Sequence, residues 1–524
     1  MSVKQVSSNA EVDERLAALM TNSNAIRAIA TAVEGTIGPK GLDTMLVDKF
    51  GNVVITNAGV TILDLMEVNH PAAKMLINVA KAQQDEIGDG TTTATLMAGS
   101  LVASGVEQVV KGVPVARIIE GMRIGIKTAV SLFKSNRKVI TDISDPLLRQ
   151  VALIAGREHE DIADLVVEAA MLIGREKLLD QSFKLGKTIS ATVGAENRVF
   201  LGTIVSKERL SRQMPQKVEG ARILVIDDAL EPEGIEDEAL ASEAGFARYL
   251  ELRQEFEDNV RKIISLGINV VLVDRGIDDL AEEMLTDAGI LAVERVAGKE
   301  LRKVAEHTGA RFIKRTGLKK EISELAKYTG TAQVVYEDEK LEQILILQGG
   351  GKPMATIQVG AATEEVVGER ERIAKDAAAS VQAAVKGGVL PGGGAVELAA
   401  AQEVEHVRRQ VGGMAAYGVD CVVEALKKPF MQIVLNAGFN PLEKLGDVLA
   451  AQSEERNSTL AVDCDNGAIR DMYELGVVDP APVKIYALQA AGEVAEAIMR
   501  IGTIIKMKVE KDEEAKQGHE DYRG

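Results

Sequence analysis

Residues 221–230 read ARILVIDDAL. Two more apolar runs follow, NVVLVD at 269–274 and ILAVERV at 290–296, with helical patterns between them. Continuous apolar runs in that alternation are what buried parallel strands of βα units require. An α/β domain therefore sits mid-chain. Between the first two runs lies Glu231–Lys262, with ten acidic residues, four basic ones and a sparse apolar set that includes Leu240, Phe246, Tyr249, Leu250 and Leu252. That composition is too polar for a core crossover helix, so the segment is expected to project from the domain. After about residue 360 the chain turns helical again, Ala-rich and broken by Gly392-Gly393-Gly394. The two ends look alike and the centre looks inserted.

On the N-terminal side, Ile26, Ile29, Ala30 and Val33 recur at helical spacing from Asn22 to Ile37, and the pattern breaks at Gly38-Pro39-Lys40-Gly41. Met45–Asp48 and Val53–Thr56 are β-prone runs on either side of Lys49-Phe50-Gly51-Asn52, which predicts a hairpin. Ala72–Ile87 and Thr91–Val110 read as helices joined by Gly88-Asp89-Gly90. At the other end Ile505–Glu510 alternates as a half-buried strand does. It has no neighbour in sequence, so pairing with another subunit and pairing with the hairpin of its own chain both stay open. Residues 511–524 are polar and charged, the composition of a disordered tail.

The chain has 524 residues, which at about 150 per domain points to three or four domain-sized units. Hydrophobic residues make up 46% and charged ones 27%, the usage of globular domains. With 61 Lys and Arg against 79 Asp and Glu the net charge is −18, the wrong sign for neutralising phosphates along a nucleic acid. The absence of Trp also leaves few stacking platforms for single-stranded bases. Two cysteines, Cys421 and Cys464, make no disulfide framework. No run of about 18 apolar residues occurs, and Glu11, Asp13 and Glu14 stand where a signal peptide would be apolar. A cytoplasmic protein with no membrane partner is expected. The five histidines are scattered, without the spacing of a zinc site.

Gly88-Asp89-Gly90-Thr91-Thr92-Thr93 is the best candidate for chemistry, because a Gly-rich turn leads straight into a helix. The first turn of a helix offers unpaired N–H groups and a positive dipole end, and threonine hydroxyls add donors for a phosphate. Asp89 beside it suits Mg²⁺, which binds through one or two carboxylates plus phosphates. Taken alone, the hexapeptide would be read first as an ordinary helix cap, since such caps are common. Gly392-Gly393-Gly394 after Pro391 permits close backbone approach to a ligand, or simply a flexible turn. Gly38-Pro39 is by itself a turn, and Asp376 lies at the border of the apolar stripe of an Ala-rich helix, where a solvated carboxylate is the plain alternative. No P-loop and no G-x-S-x-G motif occurs.

In order along the chain, TIGPKG at 36–41, TNAGVTIL at 56–63, HPAAKML at 70–76, GDGTTTAT at 88–95, PGGGAVE at 391–397 and GVVDP at 476–480 resemble the chaperonins. The similarity covers nearly the whole chain, and GDGTTT is highly specific to that family. KERLSRQMP at 207–215, GIDDLAEEML at 276–285 and the acidic insert resemble the group II, thermosome type. A short intermediate stretch and the lack of a Gly-Gly-Met tail point to the bacterial group III branch. The resemblance implies a multidomain α and α/β fold: a mainly helical equatorial ATP-binding domain from 1–139 and 392–524, a small α/β intermediate hinge domain from 140–206 and 358–391, and an α/β apical substrate-binding domain at 207–357. A helical protrusion at about 231–262 would form a built-in lid.

The resemblance also implies the site. Gly38 and Pro39 would line the nucleotide, Asp89 would bind Mg²⁺, and Gly90, Thr91, Thr92 and Thr93 would bind phosphate. Gly392 and Gly393 would approach the nucleotide, Asp479 would contact the ribose, and Arg157 aligns with a lysine that senses the γ-phosphate. Asp376 matches the carboxylate that positions the attacking water. One departure stands out: the family has TNDG or TKDG where this chain has Thr56-Asn57-Ala58-Gly59. A second carboxylate is therefore missing, and slowed hydrolysis is expected. The expectation is an ATP-driven double-ring homo-oligomer that encloses non-native proteins without a separate co-chaperonin. Archaeal relatives suggest eight subunits per ring. The alternative, supported by Ala58, is a hydrolysis-impaired ATP-binding scaffold.

Overall fold

The computed structural model describes residues 4–7, 10–12, 15–51, 53–234 and 242–504. They form two compact units, one from the described residues of 1–140 and 387–524, the other from 141–386. The first is mainly helical and the second is α/β. No described helix is long and apolar enough to cross a membrane.

The first unit is organised around the helix Thr91–Val110, which buries residues on nearly every side, from Thr91, Ala94 and Thr95 to Leu101, Val102 and Val106. A helix apolar all round belongs at the centre of a bundle, and here it packs against Arg15–Glu34, Pro71–Glu86, Ala415–Asn436 and Ala481–Met499. Small residues let the helices approach closely. A Cβ on Gly121 would stand 1.9 Å from the Ala415 carbonyl oxygen, and one on Gly418 would stand 2.0 Å from that of Ile118. The helices Val115–Asn136 and Ala415–Asn436 therefore touch backbone to backbone.

Local signals set the ends of these elements. Pro71 occupies the first turn of its helix, where its missing N–H is no loss, and the Ala72 N–H donates to His70 Nδ1. The helix expected over 22–37 runs from Arg15 to Glu34. The predicted hairpin is present as the antiparallel pair Thr44–Val47 and Val53–Thr56, with Thr44 opposite Thr56. Two further antiparallel pairs join Val389–Pro391 to Val478–Pro480 and Leu460–Val462 to Ile469–Asp471. The expected strand Ile505–Glu510 and the tail after it lie outside the described residues.

The second unit carries a sheet of nine strands among the described residues. From one edge the order is Ile189–Val193, Ala355–Ala361, Arg198–Val205, Gln343–Gly349, Gly330–Asp338, Lys217–Ile226, Val270–Val273 and Leu291–Val293, with Phe312–Ile313 also paired to Lys217–Ile226. The three apolar runs are parallel neighbours as predicted, Ile223 lying opposite Val270 and Val270 opposite Leu291. The first of them begins at Lys217 and ends at Ile226.

The insert after residue 230 departs from expectation. Glu243–Ser265 is one helix, and its second half is a core helix of the α/β unit: Leu252, Phe256, Val260 and Ile263 are buried, the last three packed with Leu224 and Val271. Counting charges over the whole segment hid a stripe spaced 4, 4 and 3 residues apart, which is enough to seat a helix on a sheet. Only the first half, with Phe246 and Leu250 more than half exposed, stands off the core.

Candidate functional site

The Gly-Asp-Gly turn is held by the end of the helix before it. Gln83 is fully buried, and its Nε2 donates to the Asp89 carbonyl at 2.7 Å and to that of Val483 at 3.2 Å. Gln84 Nε2 donates to the Gly88 carbonyl at 3.2 Å. Gly90, at φ +79°, is the left-handed N-cap of Thr91–Val110 and contributes no side-chain cap. A side chain there would meet Val483 Cγ1 at 2.5 Å. The helix N-terminus is thus left to whatever anion enters, with the Thr91, Thr92 and Thr93 hydroxyls beside it. The Gly90 N–H donates to Asp89 Oδ1 at 2.6 Å.

Two more turns close on this helix start. A Cβ on Gly59 would lie 2.4 Å from Thr92 Oγ1 and 3.4 Å from the Thr92 nitrogen, so the Thr56–Gly59 turn touches the cradle itself. Ala58, the residue before, caps the helix Gly59–Leu65 with no side-chain bond. Thr36 Oγ1 is 3.4 Å from Thr92 Oγ1, which brings in the turn that carries Gly38 and Pro39. That turn is fixed from outside: Asn436 Nδ2 donates to the Glu34 and Ile37 carbonyls, both at 2.9 Å. Gly38 takes φ +88° with its Cβ position 3.1 Å from Ile433. Lys40 pairs with Asp465 at 2.6 Å.

Asp479 arrives by strand pairing. Leu390 lies opposite it, and the Gly392 N–H donates to the Val477 carbonyl at 2.9 Å. A Cβ on Gly392 would be 3.2 Å from Asp479 Oδ2, and one on Gly393 3.1 Å from Met472 Sδ. Lys484 Nζ reaches Asp479 Oδ2 at 2.8 Å and Glu397 Oε1 at 2.6 Å. Burial works against its charge, but the Asp479 and Glu397 carboxylates outweigh burial and push its pKa up. Val483, beside Lys484, is also the residue that meets Gly90 and Gln83. The Asp479 arm and the threonine cradle are therefore joined through residues 479–484.

Arg157 and Asp376 belong to the second unit. Asp376 lies on Glu364–Gly387, and Arg157 in the turn after Pro146–Ala155. Arg157 Nη1 donates to Glu369 Oε1 at 2.5 Å and its Nη2 stands 3.9 Å from Asp376 Oδ2, while Arg372 holds Glu369 at 2.7 Å. Arg157 and Glu158 both adopt the left-handed region, at φ 52° and 63°. Non-glycine residues occupy it at a cost, and such strain gathers at functional sites. Gly156 packs its Cβ position 3.6 Å from Ala377, seating the turn on the helix next to Asp376.

Within the first unit the structure gathers Gly38, Pro39, Asp89, Gly90, Thr91, Thr92, Thr93, Gly392, Gly393 and Asp479 onto connected turns, and within the second it pairs Arg157 with Asp376. Gly59, Thr36, Gln83, Glu397, Lys484 and Glu369 were not singled out from sequence. Glu397 closes the PGGGAVE motif, which was its one signal; nothing in spacing marks Lys484. The arrangement can hold a polyphosphate on N–H and hydroxyl donors, a hydroxyl donor on Asp479, and a hard cation on Asp89 with the phosphates.

The TCP-1/cpn60 chaperonin family model matches residues 29–509. A thermosome subunit of Pyrococcus horikoshii is 37% identical, with 96% of this chain and 94% of that protein covered. A thermosome subunit beta of Thermococcus kodakarensis is 37% identical over the same shares. Among solved structures, a group III chaperonin in the open state superposes with a TM-score of 0.88 at 47% identity, covering 94% of this chain and 99% of that one.

Proposed function

The chain belongs to the TCP-1/cpn60 chaperonin family, and from that premise we propose that it is an ATP-driven folding chamber of the group III kind. In this reading subunits assemble into stacked rings, eight to a ring, around non-native client proteins in the cytoplasm. The observation that carries it is the meeting of three glycine turns at one uncapped helix start: Gly59 against Thr92, Gly90 in the left-handed cap, and Thr36 beside Thr92. No side chain larger than glycine fits at Gly59 without displacing the threonine that would hold a phosphate.

The residues present suit a triphosphate with Mg²⁺. Asp89 would hold the cation, which when bound neutralises charge on the phosphates. The Thr91, Thr92 and Thr93 donors orient the phosphates, and Asp479 receives the sugar. Asp376 positions the attacking water, with Arg157 and Glu369 fixing the geometry of its carboxylate. Arg157 is assigned to sensing the γ-phosphate, and its strained turn supports a role in switching, since left-handed backbone is retained where two states compete. Nucleotide contacts made in one state only would shift an equilibrium between open and closed rings. The exposed start of Glu243–Ser265 supports a built-in lid that needs no separate co-chaperonin.

Ala58 favours a second reading, an ATP-binding scaffold with impaired hydrolysis, because it stands beside Gly59 where the family has a carboxylate. One experiment separates the two. Light scattering should give a particle many times the 56.0 kDa chain, and Mg-ATP should raise the yield of a chemically denatured client above that with ADP. Rings that hold client equally with either nucleotide would establish the scaffold; a monomer would remove both.

A further inference from the structure

Lys484 and Glu397 are 4% and 2% exposed, and they meet Asp479 in a cluster of two carboxylates and one ammonium. The cluster carries one uncompensated negative charge. Glu397 Oε2 is buried without a hydrogen-bond partner. A buried ion pair is poor evidence of a gain in stability, since apolar residues of similar volume often serve as well. Its place in the site suggests another use. Lys484 takes Asp479 by Oδ2, and Asp479 Oδ1 has no partner among the described residues. Asp479 itself is partly open, with 30% of its side chain exposed, at the point where Gly392 lets a ligand approach the backbone. An excess negative charge with a free carboxylate oxygen repels phosphate and accepts from neutral donors such as a vicinal diol.

We propose that Lys484 is a positioning residue for the sugar end of the nucleotide: it anchors one oxygen of Asp479, presents the other to ribose hydroxyls, and so makes the site selective for ribonucleotides. The inference rests on the ATP reading above and adds to it the group that enforces sugar choice. Glu397 in turn anchors Lys484, and the six-residue span from Asp479 to Lys484 ties the sugar arm to Val483 at the phosphate turn.

The test compares equilibrium binding of Mg-ATP and Mg-2′,3′-dideoxy-ATP to the full-length assembled protein. Wild type should prefer ATP by roughly tenfold or more, the value of a hydrogen bond to a charged acceptor. Lys484→Met alone leaves Glu397 buried and unpaired, so the informative variant is Lys484→Met with Glu397→Gln, which removes both charges. A purely structural role predicts that this double variant regains wild-type thermal stability and sugar preference together. The positioning role predicts stability regained but preference near parity, with KM for ATP raised and kcat unchanged, because the sugar is remote from the bond that breaks. Lys484→Arg should retain the preference. Wild-type preference in the double variant would overturn the assignment, as would a wild type that binds both nucleotides equally. A wild type that binds neither would instead bring down the ATP reading itself.

Discussion

The threonine cradle and the Arg157 turn achieve precision by opposite means. The cradle is made mainly of backbone: Gly90 caps and Gly59 abuts, with the Asp89 carboxylate accepting from the Gly90 N–H. The Arg157 turn is made of side chains: a guanidinium shared between Glu369 at 2.5 Å and Asp376 at 3.9 Å, on a turn with two left-handed residues. Backbone close packing has one arrangement and binds without reorganising. An ion-pair cluster is held by charges that an incoming anion can compete for, so it suits a group whose position responds to what is bound. On the function proposed above, the difference would give binding to the threonine cradle and the timing of chemistry to the Arg157 turn.

The sharpest way to break that division is Asp376→Ala. Turnover of ATP should fall by about 10² to 10⁴ while binding measured by calorimetry stays near wild type, since positioning of a reacting group is worth that much. Loss of binding in this variant would mean that the second unit also holds the nucleotide. Ala58→Asp places a carboxylate where the cradle has none; steady-state hydrolysis should rise, by about 10² at most if the new group matches the lower bound for such positioning. An unchanged rate would end the idea that Ala58 slows the chain. The smallest effect is expected for Gly59→Val. Its branched side chain overlaps Thr92 Oγ1, and overpacking of that kind should weaken ATP binding by roughly tenfold with little change in kcat. Unaltered affinity would show that the Gly59 contact is packing alone.

Much of the fold was legible because its signals are local. Gly-Asp-Gly before a run of threonines predicts a helix start at Thr91, and the helix begins there. The hairpin at Thr44–Thr56 and the three parallel strands follow from runs of four to ten residues. What escaped is made by distant partners. Gly59 meets Thr92 across more than thirty positions, and Lys484 meets Glu397 across 87; neither contact leaves a trace in local pattern. The resemblance placed Asp376 and Arg157 on the candidate roster, but that the two face each other could come only from coordinates. Glu243–Ser265 was misjudged for a different reason: overall polarity was weighed where spacing mattered, and the buried stripe of Phe256, Val260 and Ile263 is narrow enough to vanish in an average.

The ladder of the second unit has a mechanical corollary. Strand Ala355–Ala361 is hydrogen-bonded on both sides, and three residues after it ends the chain enters the helix bearing Asp376. A tug on Leu291–Val293, at the far margin, reaches that helix through interstrand bonds and a short covalent tether. The Asp376 carboxylate is thus moored to a sheet rather than to a loose loop; if it acts on water as proposed, ATP turnover would double as a strain gauge for loads applied at that margin.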